Sequence, residues 1–152
     1  MTPRAGAVTP RFRWIKIVVW ILGAMGLVNG IAMFFAPSTW FFQMVPGVPE
    51  TGLFNAHLVA DSGTFFIAVG VGLLIAGFDP ARHFAVIVVA TIANLFHSIL
   101  HIYSHEAGLL SLTHLSTEVA GIYVPTLILI AIVLMLWRRR PVSDVGVSAR
   151  AA

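Results

Sequence analysis

The side chains able to do chemistry recur at one spacing. His57 and Asp61, His97 and His101, His101 and His105, and His114 and Glu118 all stand four residues apart. In an α-helix that interval puts both members on one face, about one turn apart. Asn94 precedes His97 on the same stretch, and Asn29 lies on an earlier one. Imidazoles with one or two carboxylates suit zinc, copper or iron. The chain has no cysteine, which excludes thiolate ligation, disulfides, thiol redox chemistry and covalent haem attachment through Cys-x-x-Cys-His. Any ligand chemistry must use nitrogen and oxygen.

The leading expectation is therefore a metal centre with His57, Asp61, His97, His101, His114 and Glu118 as ligands, supported by Asn29, Asn94 and His105. The metal is copper, zinc or iron, and ligand type does not choose among them. As an enzyme, such a centre activates water or dioxygen for a lipid-soluble substrate, with Asp61 or Glu118 as general base in a hydrolysis. Three alternatives stay open. One is a haem b held by His57 with His97 or His101; another is a proton-conducting or quinone-facing polar network; the third is plain hydrogen bonding in an accessory subunit of a larger membrane complex. A lone histidine is more often satisfied by a backbone carbonyl than by a ligand, and it is the convergence of six groups that favours a site.

The elements that must carry these residues are membrane spans. Hydrophobic residues make up 59% of the chain and charged residues 10%, with a mean hydropathy of +0.94, well outside the range of soluble domains. Four apolar stretches, at about 14–36, 53–77, 84–103 and 112–137, are each long enough to cross a hydrocarbon core of about 30 Å. The breaks hold Pro37, Pro46, Gly47 and Pro49, then Asp79 and Pro80, then Gly108. Such short connections imply an all-α, antiparallel four-helix membrane bundle over residues 1–140. Residues 141–152, without apolar periodicity, read as a disordered tail. The first apolar run is longer than a signal-peptide core, so it is expected to be a retained helix.

Charge sets the orientation. The nine basic residues precede the first span (Arg4, Arg11, Arg13, Lys16), lie between the second and third (Arg82), or follow the fourth (Arg138, Arg139, Arg140, Arg150). The other two connections contain none, which puts both termini in the cytoplasm of a multi-pass protein of the inner or plasma membrane. A pI near 10.2 then reflects topology and anionic lipid rather than nucleic acid. The expected partners are the bilayer, other membrane subunits or further copies. In this orientation the polar stripes share the outer half: His57, His101 and His114 lie near the rim, Asp61, His97 and Glu118 roughly one turn deeper, and Asn29 near the deeper layer.

Around this centre, Trp14, Trp20, Trp40, Trp137 and Tyr103 suit an interfacial belt, and His83 suits a solvated turn at the cytoplasmic side. The apolar loop holding Trp40, Phe41, Phe42, Met44 and Val45 is expected to lie on the membrane surface, with a lid over the cluster as the alternative. Gly26 and Gly30, and Ala56 and Ala60, have the spacing for close helix approach. The segments FNAHLVADSG (54–63) and ANLFHSILH (93–101) resemble a pattern in small bacterial four-helix membrane proteins of DoxX-like layout, over about residues 20–105. That resemblance implies that Asn55, His57, Asp61 and His97 belong to a shared feature.

Overall fold

The computed structural model describes residues 13–139. Four helices are long and apolar enough to cross a membrane: α1 (Arg13–Phe35), α2 (Ala56–Phe78), α3 (Phe84–Glu106) and α4 (Leu112–Trp137). Among the described residues the chain is all-helical, with no strand. The helix ends match the expected spans to within a turn. The expected tail lies outside the described residues, as do Arg4, Arg11, Arg140 and Arg150.

Local chemistry explains the boundaries. Pro37 stands two residues after the end of α1, and the residue between, Ala36, leaves the helical region at φ −137°, as the ring of a following proline demands. Asn55 caps α2, its side-chain oxygen accepting from the Leu58 N–H at 3.1 Å, so one of the four free donors at the helix start is satisfied. Asp79, extended ahead of Pro80, stops α2. Lys16 then donates to the last carbonyl of that helix, Phe78 O, at 2.7 Å, where a cation also complements the helix dipole. Gly108, at φ +69°, turns the chain out of α3 in the left-handed conformation that glycine takes without steric cost.

α1 and α2 pack backbone to backbone. A Cβ on Gly30 would stand 2.7 Å from Ile67 N, and one on Gly70 would stand 2.5 Å from Leu27 N. The seam thus runs through Gly23 and Gly30 against Gly63 and Gly70, with Gly26 beside it. Ala56 and Ala60, expected to serve α2 at four-residue spacing, precede Gly63, which already meets Phe34 at the end of α1; Ala56 is exposed and Ala60 half-buried. Helices in contact over their whole length return to the same face every seven residues, not every four. Early residues of α1 meet late residues of α2, as in Trp20 with Leu74, so the two run in opposite directions. α3 and α4 do likewise, through Phe84 with Trp137 at one end and Ser98 with Thr126 further along. α2 meets α3 through Gly72 with Val86 and Phe66 with His97.

The two ends of the helix group differ. At the end that carries Arg13, Lys16, Arg82, Arg138 and Arg139, all four helices share one apolar core, with Ile15, Val19, Leu73, Ile87, Leu129 and Ile132 almost fully buried. At the opposite end Phe41, from the short helical stretch Trp40–Met44 after α1, forms a smaller cluster with Met33 and Val59. The histidines other than His83 gather at that second end. His83 instead precedes α3 at the basic end, its N–H bonded to Asp79 O.

Candidate functional site

α4 is not a regular helix. It opens with a 3-10 turn, Leu112–His114, runs as α-helix over Leu115–Glu118, widens to a π-helical turn over Val119–Tyr123, and continues as α-helix over Val124–Trp137. Pro125 accounts for the widening, because it has no N–H for the Gly121 carbonyl and its ring clashes with that carbonyl in a regular helix. In a regular helix, residues eight apart, such as Glu118 and Thr126, diverge by about 80°. The wide turn removes that divergence. Thr126 meets Ser98 and the Asn94 carbonyl of α3, and Glu118 faces α3 as well.

There Glu118 is bonded to one histidine and stands beside a second. His105 Nε2 lies 2.7 Å from Glu118 Oε2, and His101 Nδ1 lies 3.3 Å from Oε1; the side chains of Glu118, His105 and His101 are 8%, 10% and 20% exposed. The other ring nitrogen of His105 stands 3.3 Å from Leu110 O. A carbonyl only accepts, so that Nδ1 carries a hydrogen and Nε2 is directed at the carboxylate. The 2.7 Å contact then needs one further proton, shared between Nε2 and the carboxylate. His101 Nδ1 is buried and, despite its distance to Glu118, has no hydrogen-bond partner. His97 adjoins the group, with its ring edge-to-face with His101 at 4.8 Å and with Phe66 at 5.9 Å.

The other expected ligands lie elsewhere. His57 and Asp61 pair with each other at 3.2 Å on an outward face of α2, 87% and 57% exposed, and neither bonds to the buried group. Four-residue spacing put them on one face of α2, but that face turns away from α3 and α4 because the glycine seam takes the opposite side against α1. Asn29 accepts from the Trp40 indole N–H at 2.8 Å, and the Asn94 amide donates to Ala90 O on its own helix. Neither reaches the cluster. His105, expected only in a supporting place, is central.

His114 bonds to Glu50 Oε1 at 2.9 Å, and the Ser111 N–H donates to Glu50 Oε2 at 3.1 Å. Glu50 belongs to the 3-10 turn Val48–Thr51 in the loop after α1. The Ser111 N–H first, and the His114 hydrogen bond second, hold its carboxyl below the ordinary value of 4.5. Gly47, at φ +87°, lies so close to His114 that a Cβ there would stand 3.0 Å from the ring. The loop therefore crosses to the start of α4 and fastens on His114. No sequence signal foretold this contact, whose members are 64 residues apart.

Among the described residues, no three histidine or carboxylate side chains already stand in a metal-ready arrangement. The donor set nevertheless fits one in kind. Ligands about 2.0–2.1 Å from a tetrahedral zinc stand about 3.3 Å from one another. The His101 to Glu118 distance equals that edge, while the His105 to Glu118 distance is that of a hydrogen bond. The Leu110 carbonyl on His105 Nδ1 is the backbone acceptor that commonly orients a ligating imidazole. Comparison of the chain with protein-family models, with curated proteins and with solved structures finds no match.

Proposed function

We propose that this chain is an antiparallel four-helix bundle of the inner or plasma membrane, DoxX-like in layout, with both termini in the cytoplasm, and that it holds a transition-metal ion in its outer half. The ligands are His105 Nε2, His101 Nδ1 and Glu118, with His97 adjacent as a fourth donor. The observation that carries this reading is the buried His101 Nδ1, which has no hydrogen-bond partner and faces a carboxylate already held by a second imidazole. A buried imidazole nitrogen left in this way is costly, and a cation placed among the three donors satisfies all of them. Its binding displaces the proton shared by His105 and Glu118. His97 and His101 share one helix and His57 faces outward, so two histidines do not oppose each other as a haem b requires.

When bound, the ion supplies Lewis acidity and a coordinated water of lowered pKa. A metalloenzyme for a lipid-soluble substrate and a metal-bearing accessory subunit share this site; an activity that vanishes on chelation marks the first. The 2.7 Å contact between His105 and Glu118 favours one second reading, a site that holds and passes a proton. Elemental analysis with an absorption spectrum, on protein purified in detergent without added metal or chelator, separates the two. Near-stoichiometric zinc, copper or iron is expected, lost in His105→Ala and Glu118→Ala and kept in His57→Ala. Absence of metal even after reconstitution leaves the proton-holding site as the function.

A further inference from the structure

His57 and Asp61 are left without a role by the buried group. Their stripe continues along α2 as Thr64 and Ala68, all exposed, and it is bordered by Leu58 and Phe65, 62% and 72% exposed. Apolar side chains so exposed on a span face lipid, so Asp61 stands on a lipid-facing surface. It lies more than a turn inside α2, level with the end of α1, as the approach of Gly63 to Phe34 shows. A carboxylate there, paired with the equally outward His57 of its own helix at 3.2 Å, gains from a further polar group in the plane of the membrane.

We infer that this face of α2 is the contact between two copies of the chain. The pair is complementary to itself, since it offers both an imidazole and a carboxylate. A second copy related by a two-fold axis along the membrane normal brings the same pair to the same depth. His57 of each copy then lies one turn from Asp61 of the other, an offset that charged pairs span between parallel helices. Further along the same side, Ala68, Gly72, Ala85, Val86 and Val89 line an apolar groove of about 340 Å³ between α2 and α3. Small residues at its edge let a partner helix come close. This contact is independent of whether the buried group binds metal.

The absence of cysteine makes the test direct. Thr64→Cys, oxidised in native membranes, should give a disulfide-linked dimer, whereas Val28→Cys on α1 and Leu127→Cys on α4 should not. Adding His57→Leu and Asp61→Leu, changes that favour membrane insertion, should lower the cross-linked fraction several-fold at unchanged protein level. Exchanging the two residues, as His57→Asp with Asp61→His, should restore it. Cross-linking of Thr64→Cys no stronger than that of the α1 and α4 controls overturns the inference, as does a dimer indifferent to the double leucine variant.

Discussion

Glu118 illustrates how one side chain's surroundings decide its chemistry. Among the described residues no lysine or arginine stands at this carboxylate's end of the helices, and two imidazoles take that place. Type and spacing drew attention to His97, His101, His114 and Glu118, of which the last three stand in polar contacts. Which nitrogen meets which oxygen was not legible, because that depends on the rotation of α4 about its axis. Glu50 shows the same limit at the rim, where a single loop acid meets His114 only through the fold. Its carboxyl is held below 4.5 by the Ser111 N–H and by His114. A lowered folded-state value means that the contribution to stability is complete above the ordinary value and is lost as pH falls through the folded one. Protection of the Ser111 amide, corrected for intrinsic exchange, should therefore hold at neutral pH and fall as the solution is acidified below 4.5. In Glu50→Gln, which keeps an acceptor oxygen but cannot titrate, it should no longer vary over this range; protection that stays pH-dependent in that variant would assign the titration to another group.

At the scale of the element, two features of helix shape do most of the positioning. The first is the wide turn before Pro125. Restoring the backbone N–H with Pro125→Ala allows a regular helix, which swings Glu118 away from His101 and His105. The variant should fold as stably as the parent yet retain less metal; full retention would show that the turn does not aim Glu118. The second is the glycine seam between α1 and α2. Gly70→Val forces the two backbones apart and should cost roughly 1–3 kcal/mol or more in detergent unfolding experiments. Gly121→Ala meets nothing within 4 Å, and by helix propensity should change stability by less than about 1 kcal/mol, in the favourable direction. Equal losses in the two would place the seam's importance elsewhere. The four-residue spacing of Gly26 and Gly30 hinted at close packing, while the seven-residue repeat through Gly63 and Gly70 was not singled out by spacing along α2 alone.

For the whole molecule, the proposed orientation makes its own prediction. Thr51→Cys should react with an impermeant maleimide in intact cells, whereas Ala81→Cys should react only after permeabilisation; the reverse pattern would invert the bundle and move the histidines to the cytoplasmic side. The four apolar stretches and their breaks were determined by sequence alone, because hydropathy and proline act locally and a span needs no partner to be recognised. The one-sided distribution of basic residues and the exclusion of sulfur chemistry are equally properties of the chain by itself. Only the tertiary structure decided that the six expected ligands divide into a buried group on α3 and α4, an outward pair on α2 and a rim contact to Glu50. Spacing along one helix fixes which residues share a face, but the direction of that face is settled by packing against neighbours. Here the glycines of α2 took the side toward α1, and Pro125 turned Glu118 toward α3.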